Sequence, residues 1–148
     1  MEESLSFLNK LKSEFNCKEV DIKTYSPLTL AFIGDCVYDL VIRTILVADG
    51  NKGVEALHKR KSAIVKAATQ AEMIELLSDE LSDEEKDVYR RGRNAKSYST
   101  AKNASVNDYR KATGFEALMG YLYLLDRQDR LIELIKKGLE LYNGKTDK

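Results

Sequence analysis

Apolar residues recur every three or four positions along most of the chain, which is the spacing of amphipathic helices, and no useful alternating strand pattern occurs. Residues 4 to 15 predict a short amphipathic helix. Ser26 and Pro27 predict the start of a second one, because serine caps free N–H groups and proline suits the first helical position. This helix is expected to run to about Ala48. The pattern predicts an all-α fold, a helical bundle.

The rest of the chain predicts four further helical segments and one loop. The helices cover residues 54 to 78 with a possible break near 67 to 70, 82 to about 92, 113 to about 126, and 128 to 142. Ser82 with Glu85, and Thr113 with Glu116, have the spacing of capping boxes that open two of these helices. Residues 94 to 106 are rich in Ser, Thr, Ala, Asn and Lys, and we expect a flexible loop there.

Length and composition exclude several classes of protein. A chain of 148 residues suffices for one domain that buries about 70% of its unfolded surface. No apolar run approaches the roughly 20 residues of a membrane span, and Glu2 and Glu3 stand where a secretory signal would be cationic. Cys17 and Cys36 lack metal-binding spacing. We therefore expect a cytoplasmic protein with reduced thiols and no membrane partner.

Equal numbers of acidic and basic residues, 24 of each, conceal an uneven distribution. Eight acids and one base lie between Glu72 and Asp87, whereas seven bases and one acid lie between Arg90 and Lys111. A second basic run extends from His58 to Lys66 and contains no acid. This separation predicts faces of opposite charge, and a basic face can bind phosphates. Solvated helices that bind nothing show the same pattern.

Asp35 breaks the pattern of the helix that begins at Pro27. That helix is apolar nearly all round, which predicts that it is buried, and Asp35 projects from the same face as Ala31 and Phe32. Because an unpartnered buried carboxylate is costly, Asp35 is either a metal ligand or half of a structural ion pair. Glu116 has a plain explanation as a capping residue.

Three motifs resemble one enzyme family. Residues 28 to 38, with the sequence LTLAFIGDCVY, resemble the signature helix of ribonuclease III domains, and residues 113 to 121, TGFEALMGY, resemble that family's second acidic helix. Residues 91 to 97, followed by Lys102 and Asn103, narrow the resemblance to the Mini-ribonuclease III group, which has no appended double-stranded RNA-binding domain. The resemblance covers about residues 24 to 142.

The resemblance implies a fold, a site and an activity. It implies a ribonuclease III-type endonuclease domain over 24–142. Outside that range, we expect residues 1–23 to form an N-terminal amphipathic extension packed on the domain and residues 143–148 to form a polar tail. The resemblance also implies a homodimer that cuts double-stranded RNA, notably 23S ribosomal RNA precursor, to leave 5′-phosphate and 3′-hydroxyl ends. The catalytic residues would be Asp35 and Glu116, as ligands of Mg²⁺. Three positions where longer family members carry further carboxylates hold other residues here, which leaves the number of metal ions open: Leu28, Ala31 and Thr113.

The basic segment from Arg91 to Asn103, which includes part of the expected loop, supplies candidates for binding RNA. A duplex presents mainly phosphates and 2′-hydroxyls to a small domain. The candidate RNA-binding residues are Arg91, Arg93, Asn94, Lys96, Ser97, Lys102 and Asn103. Two other functions remain open at this point. One is a non-catalytic RNA-binding protein of the same fold that acts in ribosome assembly. The other is a helical interaction protein that binds neither metal nor RNA.

Overall fold

A computed structural model describes residues 6–96 and 105–146, and this part of the chain forms seven α-helices and no strand. The helices are α1 (Phe7–Glu14), α2 (Pro27–Ala48), α3 (Val54–Val65), α4 (Ala67–Leu76), α5 (Asp83–Asn94), α6 (Val106–Leu124) and α7 (Gln128–Thr146). Short 3₁₀ turns precede α2 and α5. The predicted all-α bundle is confirmed. Within the described ranges, no helix is both long and apolar enough to cross a membrane.

The helices α2 and α6 form the centre of the bundle. Phe115 and Leu118 of α6 are fully buried, as is Tyr38 of α2. The rings of Tyr38 and Phe115 meet edge to face, with centroids 5.2 Å apart and planes at 87°, a favoured arrangement for aromatic pairs. The core therefore joins the two helices that carry the predicted acidic residues.

Glycines allow α2 and α6 to approach until their backbones touch. A Cβ at Gly34 would lie 1.7 Å from the carbonyl oxygen of Glu116. A Cβ at Gly120 would lie 2.0 Å from the carbonyl oxygen of Leu30. Because neither position has room for a side chain, the crossing requires glycine on both helices. Asp35 follows Gly34 directly and is therefore held beside α6.

The other side of α6 packs on α5 in a similar way. A Cβ at Gly92 would lie 2.9 Å from the Cα of Gly114, and one at Gly114 would lie 2.7 Å from the carbonyl oxygen of Tyr89. In the first turn of α5, the buried Glu85 accepts two hydrogen bonds from the guanidinium of Arg130 in α7, at 2.8 and 2.7 Å. This bidentate pair joins α5 to α7.

Local capping chemistry explains where two of the predicted helices begin. The Ser26 side chain accepts a hydrogen bond from the Thr29 N–H at 3.1 Å, with Pro27 in the first turn of α2. Ser82 and Glu85 form the predicted capping box of α5. The expected break between residues 67 and 70 is present one residue earlier, at Lys66.

The predicted start of α6 at Thr113 is wrong. The helix begins at Val106, where the Ser105 side chain caps a backbone N–H of the first turn. Thr113 lies two turns inside the helix, and its hydroxyl donates to the Tyr109 carbonyl at 2.9 Å. Glu116 therefore does not cap a helix start. The last helix also continues to Thr146, so residues 143–146, expected in a polar tail, are helical.

The expectation that α2 is buried on all sides is also wrong. Phe32 is 82% exposed and Leu40 is 60% exposed, and both lie on a face of α2 that none of the described helices covers. Asp35 is exposed as well, so its carboxylate is not enclosed in the core. At the N-terminal end, α1 contacts the rest of the fold through buried Leu8 and a 3.2 Å hydrogen bond from Asn9 to Asp126.

Candidate active site

Asp35 and Glu116 meet at an open cleft of about 790 Å³ where α2 crosses α6. Asp35 is exposed at the mouth of the cleft, and Glu116 is partly buried in it. The two side chains line this cleft together, one from each helix. The structure thus brings together the two acids that the sequence places on separate helices. The glycine crossing described above holds them there, because Gly34 packs on the backbone of Glu116 itself.

The electrostatics of this pair are unfavourable without a cation. Burial, together with a hydrogen bond to Asp35 and the negative charge of Asp35, raises the pKa of Glu116 to about 8. A hydrogen bond from Gln70 opposes the rise. Two neighbouring carboxylates repel each other when both are ionised, and a divalent cation between them relieves that repulsion.

The available ligands fit a hard divalent cation. Magnesium takes one or two protein carboxylates and completes its octahedron with water and substrate phosphate. Among residues 6–96 and 105–146, no group of three or more His, Cys, Asp or Glu side chains is placed to hold a metal. The candidate metal ligands in this part of the chain are two acids, Asp35 and Glu116, at a cleft open to solvent.

A third acid lines the same cleft but is already neutralised. Asp39 accepts a hydrogen bond from Arg43 at 2.6 Å, as its i,i+4 spacing suggests, and Lys61 lies 3.7 Å from its other oxygen. By contrast, Asp35 takes part in no ion pair with the Lys, Arg or His residues that the structure describes. This contrast favours a ligand role for Asp35 over a structural ion pair.

Gln70 contacts the site and was not predicted from the sequence. It lies on α4 and is only 2% exposed. Its Nε2 donates to Glu116 Oε2 at 3.4 Å and to the carbonyl oxygen of Val65 at 2.6 Å. A glutamine in a helical sequence is usually exposed. The only signal in the sequence was the helix break expected near residues 67 to 70.

The candidate RNA-binding residues are only partly described. Ser97, Lys102 and Asn103 lie outside the described residues. The remaining four lie at or just beyond the end of α5: Arg91, Arg93, Asn94 and Lys96. This helix extends to Asn94, two residues past its expected end at Gly92. The single histidine, His58, which opens the second basic run, is exposed on α3.

Arg91 and Arg93 leave different sides of α5. Arg91 lines a cleft that also contains Tyr121. The guanidinium of Arg93 stacks over the ring of Tyr89, 5.6 Å from its centroid. Residues two positions apart are rotated by about 200° around the helix axis, so their side chains point to nearly opposite sides. The basic run at the end of α5 therefore presents positive charge on two faces of the domain.

Comparisons with known proteins agree with this architecture. The family model described as "Ribonuclease III domain" matches residues 28–127, a range that includes both acids. The Mini-ribonuclease 3 of Thermoanaerobacter sp. (strain X514) is 51% identical over 120 residues, covering 81% of this chain and 84% of the relative. The Mini-ribonuclease 3 of Staphylococcus aureus (strain NCTC 8325 / PS 47) is 41% identical over 130 residues, covering 86% and 97%.

A solved structure shares this fold. A crystal structure of a protein from Fusobacterium nucleatum superimposes with a TM-score of 0.74 at 30% identity, covering 80% of this chain and 96% of that one. Enzymes of the ribonuclease III family generally depend on a divalent metal and act on double-stranded RNA. The ribonuclease III family consists of endoribonucleases specific for double strands. The matched domain and the relatives show that this chain belongs to the Mini-ribonuclease III group of that family.

Proposed function

We propose that this protein is a Mg²⁺-dependent endoribonuclease that cleaves double-stranded RNA at the Asp35–Glu116 cleft, leaving 5′-phosphate and 3′-hydroxyl ends. The observation that carries the proposal is the meeting of these two carboxyl groups at an open cleft. Family membership supports the reaction class, and the two-carboxylate donor set supports magnesium.

Each acid has its own part in the reaction. Asp35 and Glu116 would hold the magnesium ion, which would supply an activated water and charge stabilisation for the leaving oxygen. Asp35, at the exposed mouth, is the ligand nearer to solvent and incoming RNA, while the partly buried Glu116 holds the inner side. Lys61 lines the same cleft, and because Arg43 also pairs with Asp39, the group keeps a net positive charge for a backbone phosphate. Because backbone packing fixes the two helices, the ligands are arranged before substrate binds.

We assign the duplex-binding role to the seven basic and polar candidates of residues 91–103. A domain of this size recognises the shape of A-form RNA through phosphates and 2′-hydroxyls rather than its sequence. Arg91 and Arg93 supply charge on two sides of α5, which suits contacts to two separate stretches of backbone. Ser97, Lys102 and Asn103 belong to this proposal on sequence grounds alone.

We further propose that two copies form a homodimer through the exposed apolar face of α2. Phe32 is 82% exposed, Leu40 is 60% exposed and Leu28 is 38% exposed. Phe32 and Leu28 also line the cleft that contains Asp35, so a second copy on this face borders the active site. A twofold axis places two sites on the two strands of a duplex. The family resemblance also supports 23S ribosomal RNA precursor as the proposed substrate. We propose the cytoplasm as the compartment.

A cleavage assay tests the proposal. Purified protein is incubated with a long RNA duplex and Mg²⁺, beside the variants Asp35→Asn and Glu116→Gln. We expect short duplex products from the wild type and a loss of at least about 100-fold in rate from each variant, as for lost ligands of a catalytic metal. Equal products from all three proteins would mean contaminating nuclease. Duplex binding without cleavage by the wild type would instead favour the non-catalytic RNA-binding protein.

A further inference from the structure

The break between α3 and α4 is stabilised by side chains of α4. A helix C-terminus leaves its last carbonyl groups without intrahelical partners. Two adjacent residues fill that need here: the Thr69 hydroxyl donates to the Ala63 carbonyl at 2.7 Å, and Gln70 Nε2 donates to the Val65 carbonyl at 2.6 Å. Thr69 and Gln70 are equally buried, at 2% exposure. The two side chains thus have the same structural task.

Gln70 makes one contact that Thr69 does not make. Its Nε2 also lies 3.4 Å from Glu116 Oε2, so one NH₂ group bridges a main-chain carbonyl and a site carboxylate. Because both neighbours are hydrogen-bond acceptors, the amide must present its nitrogen to them. The remaining amide atom, Gln70 Oε1, is buried and has no hydrogen-bond partner among the described residues. Native proteins rarely leave a buried acceptor in this state without an ordered water or a functional reason.

We propose that Gln70 is a positioning residue for the metal centre: its Nε2 holds the Glu116 carboxylate at the cleft, and its buried Oε1 accepts a hydrogen bond from an ordered water. The inference rests on the metal-binding role proposed above for Asp35 and Glu116. It extends that role to α4, which carries none of the predicted ligands. Three helices then build the centre, with α2 and α6 providing carboxylates and α4 orienting one of them.

A neutral amide suits this position better than a charged donor. Lysine or arginine beside Glu116 would neutralise the carboxylate and compete with the cation for it. An amide N–H orients the carboxylate and leaves its negative charge available to the metal. A glutamate would present a third carboxylate and no donor at neutral pH. The residue type at position 70 is therefore consistent with orienting a ligand.

Metal affinity separates this role from simple helix capping. The dissociation constant for Mn²⁺ alone is measured by the electron paramagnetic resonance of free Mn²⁺, without RNA, for the wild type, Gln70→Met, Gln70→Asn and Thr69→Val. The methionine variant keeps the volume and loses the donor, whereas the asparagine variant keeps the amide but is too short to bridge Val65 and Glu116. The valine variant is the matched control, since it removes the neighbouring cap, whose hydroxyl donates to the Ala63 carbonyl instead of Glu116.

We expect both Gln70 variants to raise the Kd for Mn²⁺ by about tenfold or more, as is typical when a hydrogen bond to a metal ligand is lost. At saturating Mn²⁺ they should lower kcat for duplex RNA and leave KM unchanged. Thr69→Val should lower Tm while leaving the Kd unchanged. Wild-type Mn²⁺ affinity in a folded Gln70 variant, or an equal loss in Thr69→Val, would overturn the inference.

Two further variants separate this outcome from failure of the proposed metal centre. Asp35→Asn and Glu116→Gln are measured in the same Mn²⁺ titration. If neither changes the Kd, the metal centre itself is wrong. If both abolish binding while the Gln70 variants bind normally, only the positioning role is wrong. Circular dichroism of each variant before the titration shows which proteins are folded, and Gln70→Asn retains a donor for Val65 in case the methionine variant does not fold.

Discussion

Gly34 packs against the carbonyl oxygen of Glu116 so closely that a Cβ at position 34 would lie only 1.7 Å from it. The contact joins the residue before one candidate ligand to the backbone of the other. The separation of the two carboxylates therefore depends on a main-chain contact between α2 and α6. Substitutions at this contact should affect stability and activity together.

Gly34→Ala should destabilise the protein by about 3 kcal/mol or more, the upper range for overpacking a core. Helix propensity alone predicts the opposite sign, since alanine is favoured over glycine by about 1 kcal/mol in a helix. Gly144→Ala is the control, because a Cβ there meets nothing within 4 Å in α7. Urea denaturation of both variants measures the difference. A Gly34 variant as stable as the wild type would contradict the backbone contact.

The metal-free protein should lose stability as pH rises, through Glu116. Its pKa is raised from about 4.5 in the unfolded chain to about 8 in the fold by burial and by Asp35. The protonated form is therefore favoured on folding, so the contribution is complete below pH 4.5 and is lost as pH rises through 8. Each pH unit in this window removes up to about 1.4 kcal/mol.

Glu116→Gln should flatten this dependence. Urea denaturation in EDTA at several pH values between 5 and 9, for the wild type and the glutamine variant, isolates the contribution of Glu116 from that of other groups. Asp35→Asn should leave the Tm of the metal-free protein unchanged or raise it, because it removes a negative charge beside Glu116. A large drop in Tm would indicate that Asp35 is a structural partner instead.

Arg130→Met should cost about 3–5 kcal/mol, because it leaves the buried Glu85 without its bidentate partner. Hydrogen bonds from Arg130 lower the pKa of Glu85. The pair therefore contributes stability above the unfolded pKa of Glu85, and this is lost as pH falls through the lower folded value. Arg127→Met removes the cationic partner of the exposed Glu84, which keeps its hydrogen bond from Tyr121, and should cost within about 1 kcal/mol. Equal Tm losses in the two variants would contradict this ranking.

Arg91→Ala and Arg93→Ala should each weaken duplex RNA binding and reduce the salt dependence of log Kd by about one phosphate contact. Fluorescence anisotropy with Asp35→Asn as the background, which prevents cleavage, measures both quantities at several salt concentrations. Lys10→Ala on α1 is the control for a lost surface charge. An unchanged salt slope in one arginine variant would assign the contact to the other side of α5.

Phe32→Glu should convert the proposed homodimer to a monomer. It places a charge in the exposed apolar face of α2, where burial in an interface would be costly. Phe15→Glu is the matched control, because Phe15, which directly follows α1, is 73% exposed and lines a different cleft from Phe32. Analytical ultracentrifugation of the wild type and both variants gives the oligomeric state. A monomeric wild type at micromolar concentration would contradict the dimer.

The sequence predicted the features that depend on short-range chemistry. Ser26 and Pro27 start α2, and Ser82 with Glu85 starts α5, because capping involves residues only a few positions apart. The proximity of Asp35 to Glu116 was accessible through the resemblance to a family, since no local pattern relates two distant segments of a chain.

The features that were missed depend on tertiary contacts. The first two turns of α6 are largely polar, so the periodicity does not reveal the start at Val106. The exposure of Phe32 cannot be told from burial by hydrophobicity alone. The contact between Gln70 and Glu116 was not predicted, because it depends on α4 packing beside α6 and nothing in the flanking residues indicates it.

The helix α6 makes close glycine contacts with α2 on one side and with α5 on the other, and this limits how the protein can be redesigned. Ordinary interior side chains can be exchanged for others of similar volume, and the helices that carry them shift slightly in response. At Gly34 and Gly92 the helix α6 cannot shift in this way, because its main chain contacts the main chains of α2 and α5. Stabilising redesign of the apolar interior should therefore leave the spacing of the acids intact, whereas any enlargement at these two small residues would alter it.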